Sequence, residues 1–172
     1  MEKYEFYFDW CIDFRKNCET LFWKFRDRPI SYLEIGIWEG RSACWMLDNI
    51  LIHPDSKYTG IDINLQGVVN KNLESHKEKV TIYEGNSSVI IPRINEEFDI
   101  IYIDGDHSAL GALTDSVLCW DKAKQFILWD DYRMFCLGNN VFEGVNSFIN
   151  CLNVNQFRVA IDNYQYCIEK IE

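Results

Sequence analysis

The chain has 172 residues, 48% apolar and 15% aromatic, a composition that suits one globular domain and excludes a disordered tail or a fibrous repeat. Its 17 basic and 27 acidic residues leave a net charge of -10, so the surface repels phosphate backbones, and no Lys/Arg cluster reverses that locally. Nucleic acid is set aside as a substrate, and so is a membrane span, because apolar runs such as 30–38 and 98–103 stop well short of the roughly 20 residues a bilayer requires.

The N-terminus has no basic region followed by an apolar core, so the expected compartment is the cytoplasm. In chain order, the apolar residues from Tyr4 to Arg28 recur at three- and four-residue steps, which predicts one amphipathic helix ended by Pro29. Strand-like runs follow at 31–37, 57–63, 80–84, 98–103, 125–129, 157–161 and 165–171. Helical segments separate the first five, at 41–52, 65–76, 87–94 and 107–122. Strand, helix, strand predicts parallel pairing with right-handed crossovers, whereas the short link at 162–164 permits only a hairpin, so the last strand runs antiparallel. A single α/β domain spans 1–172, with a helical preface at 1–28 and a core at 31–171.

Seven cysteines, at positions 11, 18, 44, 119, 136, 151 and 167, contain no C-x-x-C pair. That count argues against a disulfide framework or a structural zinc site and predicts small apolar core residues.

The first strand leads into Glu34-Ile35-Gly36-Ile37-Trp38-Glu39-Gly40-Arg41-Ser42, a glycine-bearing turn that opens a helix and aims backbone N–H groups at a ligand. The dinucleotide fingerprint G-x-G-x-x-G is absent, and Glu34 and Glu39 would lie close to any pyrophosphate. S-adenosylmethionine instead carries a sulfonium and an ammonium, which a carboxylate at Glu34 would attract. Asp62 ends the second strand about 20 residues past Gly40, the spacing at which an acid reaches ribose hydroxyls. The plainer alternative is a tight strand-to-helix turn at Gly36 and Gly40, with Asp62 capping the next helix.

Taken in order, Glu34-Ile35-Gly36-x-x-x-Gly40-x-Ser42, Gly60-Ile61-Asp62, Asp104-Gly105-Asp106-His107-Ser108 and Trp129-Asp130-Asp131-Tyr132 resemble the class I S-adenosylmethionine-dependent methyltransferases. The likeness covers about 31–171, and the D-G-D-H-S run is similar to the branch of small-molecule O-methyltransferases acting on antibiotic sugars, with catechol-type relatives. It implies a Rossmann-like, doubly wound seven-stranded sheet with the last strand antiparallel. It also implies that Glu34 and Gly36 flank the methionine moiety, that Asp62 holds the ribose, and that Gly85-Asn86-Ser87 lies by the adenine.

Asp104, Asp130 and Asp131 fall at the C-terminal ends of strands expected to be neighbours, the edge where open α/β sheets bind ligands. Three carboxylates there call for a cation such as Mg²⁺, which would lower the pKa of a substrate hydroxyl. The resemblance implies metal ligands at these same positions, with Asp131 standing where Asn is usual. His107 follows Asp104 by three residues, where catechol-type relatives place a lysine base, and its ordinary pKa of about 6.5 suits proton acceptance. Alternatively, Asp130 and Asp131 cap a turn, and His107 or Ser108 caps the helix beginning there.

The family's usual Lys/Pro-Gly-Gly turn before the fifth strand is missing from 120–125. Only the N-terminal helix and about 132–155 remain to enclose an acceptor, so the expectation is an open site, with completion by a second copy of the chain as an alternative. Trp38, Trp129, Tyr132 and Phe135 are candidate stacking partners there, with core packing as the alternative. The resulting expectation is an O-methyltransferase acting on a small molecule or sugar. A non-catalytic module of the same fold, or another metal-dependent reaction on it, are the alternatives.

Overall fold

The computed structural model describes residues 3–134, 136 and 138–171. Seven strands form one sheet: β1 Ser31–Ile35, β2 Lys57–Asp62, β3 Val80–Glu84, β4 Phe98–Ile103, β5 Ala123–Trp129, β6 Phe157–Asp162 and β7 Tyr166–Lys170. Their spatial order is β3-β2-β1-β4-β5-β7-β6, with every pairing parallel except those of β7, which runs antiparallel to both β5 and β6. The helices are α1 Ile12–Phe22, α2 Arg41–Asn49, α3 Val69–Leu73, α4 Ser87–Ile90, α5 Ala109–Trp120 and α6 Val141–Ile149.

Alternation along the central strands supplies both faces of the sheet. On β1, Tyr32 packs with Phe14 and Phe22 of α1, Leu47 of α2 and Tyr58, whereas Leu33 and Ile35 pack with Ile101, Ala112 of α5, Trp129 and Phe148 of α6. The sheet is therefore sandwiched between two helical layers. Its order reverses between β1 and β4, and the crevice outside their C-terminal ends is the place such sheets offer a ligand.

Two expectations change here. The first helix begins at Ile12, because the preceding apolar residues Tyr4, Phe6, Phe8 and Trp10 recur every second residue, an extended period. Residues 3–11 form a strap held by the buried Asn72, whose side chain accepts from Glu5 N at 2.8 Å and donates to Glu5 O and Glu39 O, both at 2.9 Å. The strap is tied further by Tyr7 N, which donates to Glu39 Oε2 at 3.0 Å. Second, α6 occupies part of the stretch left open for an acceptor. It crosses α5 so closely that a Cβ at Gly144 would lie 2.3 Å from Ala109 O.

Cys18, Cys44, Cys119 and Cys167 are core residues as expected, but Cys136 and Cys151 are exposed. No helix among the described residues is long and apolar enough to cross a membrane.

Candidate active site

A cavity of about 880 Å³ opens along the switch point. Gly36 leaves β1 with φ +89°, and a Cβ there would stand 1.9 Å from Asp104 O, so only glycine lets the ends of β1 and β4 meet this closely. Gly40, also left-handed at φ +78°, starts α2. The turn between them is held from β2: Asp62 Oδ2 accepts Ile37 N at 2.7 Å and Trp38 N at 2.9 Å, while Asp62 Oδ1 accepts Asn64 N at 2.8 Å. Asp62 lines the cavity and orders the glycine turn at the same time.

Glu34 does not line the cavity. Strand alternation turns it under α2, where its fully buried carboxyl accepts Tyr58 OH at 2.7 Å and the Ser42 hydroxyl. Burial pushes this group up to about 8, against the two hydrogen bonds that favour its charge. Glu34, expected to face a cationic ligand, is instead enclosed behind Ser42 and away from the cavity wall. The negative character of the cavity comes instead from Glu39, Asp62, Asp104, Asp106, Asp115 and Asp130, set against Arg41 and His107. Gly36, Ser42, Asn86 and Ser87 line it too, whereas Gly40 does not. Asn86 also caps α4, accepting Ser88 N at 2.9 Å.

At the ends of β4 and β5, Asp104, His107 and Asp131 bring one donor atom each to within 4.8 Å of one another. Ser108 caps α5 by accepting Gly111 N at 3.0 Å, which leaves His107 out of the helix. His107 Nε2 lies 3.5 Å from Asp104 Oδ1 and its Nδ1 lies 3.3 Å from Asp131 Oδ2. The hydrogen bond to Asp104 and the surrounding carboxylates raise the imidazole pKa, and burial beside Asp130 raises that of Asp104. Asp131 adopts φ +53°, an uncommon conformation for a non-glycine residue, and receives the Tyr164 hydroxyl.

Asp130 does not join that trio. Its Oδ2 accepts Tyr102 OH at 2.5 Å, and its Oδ1 accepts Gln165 Nε2 at 2.8 Å and Asp131 N at 3.0 Å. Gln165 in turn accepts Asn17 Nδ2 at 2.8 Å, which ties Asp130 to α1. Asp104, Asp130 and Asp131 are thus not gathered into one cluster: Asp104 and Asp131 converge with His107, and Asp130 stands behind them. Of the aromatic candidates, Trp38 lines the cavity at 50% exposure, Trp129 and Tyr132 are core, and Phe135 lies outside the described residues. The strap contributes Phe8, Trp10 and Cys11 to the cavity wall. Phe8 stacks on Trp10 at 5.0 Å between ring centroids. Sequence reading missed these contributors, and the every-second-residue aromatic pattern was the signal that marks them.

Residues 33–132 match the family described as methyltransferase domain. The chain belongs to that family. An uncharacterised protein of Acanthamoeba polyphaga mimivirus, R132, is 26% identical over 153 residues, 81% of this chain and 68% of its own length. MycE from the mycinamycin biosynthetic pathway, solved with Mg, S-adenosylhomocysteine and mycinamycin VI, superposes with a TM-score of 0.71 at 17% identity over 95% of this chain. The match spans 50% of the MycE chain, so this protein accounts for half of that relative's length. A Bacillus cereus O-methyltransferase solved with S-adenosylhomocysteine gives a TM-score of 0.69 at 14% identity, over 95% of this chain and 83% of its own. These likenesses establish the methyltransferase fold.

Proposed function

We propose that the protein transfers a methyl group from S-adenosylmethionine to a hydroxyl oxygen of a small molecule or sugar. The observation that carries this reading is an acid-lined cavity at the switch point of a methyltransferase fold, with Asp104, His107 and Asp131 at its strand ends. Such a cavity repels a pyrophosphate and attracts a sulfonium and an ammonium. In this reading Gly36, Gly40 and Ser42 shape the methionine end, with Glu34 supporting Ser42. Asp62 accepts ribose hydroxyls on the lone pairs its backbone donors leave free, and Asn86 and Ser87 border the adenine.

The donor set fits a divalent cation: two carboxylates converge beside an imidazole, and Asp131 is held in a strained conformation that aims it there. Asp104 and Asp131 would hold the ion, and Asp130 would fix them from behind. When bound, it would act as a Lewis acid that lowers the pKa of the acceptor hydroxyl. His107, biased toward its protonated form by two carboxylates, becomes a proton acceptor once those carboxylates are engaged. The acceptor oxygen then forms its bond to the methyl carbon as the S–C bond breaks. Its electron pair stays on sulfur, giving S-adenosylhomocysteine, and the hydroxyl proton goes to His107 Nε2. Positioning supplies most of the acceleration, of the order of 7–11 kcal/mol for well-aligned reactants.

Calorimetric titration with S-adenosylhomocysteine, with and without Mg²⁺, tests the reading without knowledge of the acceptor. Saturable one-to-one binding, strengthened by Mg²⁺, is the expected result. No binding in either condition would overturn it and leave a non-catalytic domain of this fold.

A further inference from the structure

Two aromatic side chains of the strap take no part in the core. Tyr4, Phe6 and Cys11 pack against it, whereas Phe8 and Trp10 stay 53% and 69% exposed and line the cavity. Their stretch of backbone is nevertheless pinned on both sides. Tyr7 N is held by Glu39, and the Asp9 carboxylate accepts Arg15 Nη1 and Nη2, both at 2.9 Å, and Cys11 N at 3.3 Å. Arg41 Nη1 lies 3.7 Å from the same carboxylate, with its guanidinium 4.3 Å from the centre of the Phe6 ring. Phe8 stacks on Trp10, and Trp10 lies 6.3 Å from Trp38, so three exposed rings run from the strap to the glycine turn. A contiguous apolar surface fixed by polar ties at the rim of a cavity marks a ligand-binding wall.

That wall meets the reacting end of the cavity at Cys11. Its thiol is pushed up to about 12, by burial first and then by the charges of Glu34, Asp104 and Asp130, so it stays protonated at neutral pH and lies within the field of the strand-end acids. Among the described residues of the strap only Phe8, Trp10 and Cys11 line the cavity, so this side offers two ring faces and a neutral thiol, with little capacity for hydrogen bonding. A sugar leaving water for such a wall would forfeit partners for its hydroxyls, a cost borne by every polar group left unpaired. A flat aromatic ring stacks there without that loss. The carboxylates around the rest of the cavity outnumber Arg41 and His107 and disfavour an acceptor that carries a negative charge.

We propose that Phe8 and Trp10 form the acceptor-binding wall of this cavity and select an uncharged aromatic acceptor, stacking on its ring while its hydroxyl meets Asp104, His107 and Asp131. The assignment rests on the methyl-transfer reading above and narrows its acceptor from any hydroxyl compound to a phenol. A phenolic hydroxyl ordinarily ionises near a pH of about 10, which eases transfer of its proton to His107.

Calorimetry on the protein saturated with S-adenosylhomocysteine and Mg²⁺ tests this with 2,3-dihydroxynaphthalene as the probe, beside its 6-sulfonate and methyl α-glucopyranoside. The diol should bind with a Kd below about 1 mM, and the sulfonate and the glucoside at least about tenfold more weakly. Trp10→Ala and Phe8→Ala should each weaken the diol by about tenfold or more while S-adenosylhomocysteine affinity stays within about threefold. A diol that does not bind, a sulfonate or glucoside that binds as well as the diol, or undiminished diol binding by Trp10→Ala would overturn the assignment while leaving the cofactor reading intact. Equal losses of diol and S-adenosylhomocysteine affinity in Trp10→Ala would overturn it too, by moving Trp10 to the cofactor's side. Failure of the unmodified protein to bind S-adenosylhomocysteine at all would overturn both readings. The three-probe comparison on the unmodified protein keeps the proposal open to refutation even if neither variant folds.

Discussion

Replacing Glu34 with Gln isolates one buried titration. The carboxyl is fully enclosed, and desolvation, with smaller contributions from Asp104 and Asp62, moves it from 4.5 to about 8 against the hydrogen bonds from Ser42 and Tyr58. The folded pKa lies above the unfolded one, so the native chain holds the proton more tightly than the unfolded chain does. The stability this contributes is complete below about pH 4.5 and is lost as pH rises through about 8. At about 1.4 kcal/mol per unit the full span approaches ~5 kcal/mol, of which ~3 kcal/mol falls between about pH 5.5 and about pH 8.5. A glutamine keeps the shape, still accepts from one hydroxyl and donates to the other, and does not titrate in this range. Urea unfolding followed by tryptophan fluorescence across that range should show the parent losing ~3 kcal/mol more stability than Glu34→Gln. Because Glu34 does not line the cavity, the variant should keep its S-adenosylhomocysteine affinity within about threefold. Parallel pH profiles for the two proteins would mean that Glu34 does not carry this titration.

Gly36→Ala places a Cβ against Asp104 O in a left-handed backbone, so unfolding measurements should show a loss of ~3 kcal/mol or more, or no folded protein. Asp62→Ala removes the acceptor for two backbone N–H groups of the glycine turn together with the proposed ribose contact. Calorimetry should show affinity falling by at least about tenfold, and unchanged binding would displace the ribose from this position. His107→Ala should lower kcat on a verified acceptor by about 100-fold or more while leaving S-adenosylhomocysteine affinity near that of the parent; full turnover would remove the base role.

The alternation of strands with helices and the glycine turn were legible because their signals are local. Short β-rich runs, two glycines between β1 and α2 and the acid that ends β2 occupy fixed places along the chain. The hairpin link before β7 likewise sufficed to set its direction. What escaped depends on contacts between distant residues. The strap reads as helix when only three- and four-residue steps are counted, and its extended course is fixed by Asn72, 67 positions from Glu5. The role of Asp130 depends on Gln165 and Asn17, which meet only after β7 has folded back beside β5. Glu34 follows the same rule: its motif is visible in the sequence, but the face it occupies is decided by the strand register that sets Tyr58 and Ser42 against it.

In the proposed mechanism one cavity presents a nucleoside-linked sulfonium to the Asp104, His107 and Asp131 cluster. A crystal structure of the protein with S-adenosylhomocysteine and Mn²⁺, with the metal located by its anomalous signal, tests this most directly. The ribose is expected on Asp62, the base beside Asn86 and Ser87, and the anomalous peak between Asp104 and Asp131, on the side the sulfur faces. A ligand bound away from the β1 and β4 ends, or a peak elsewhere on the molecule, would contradict it.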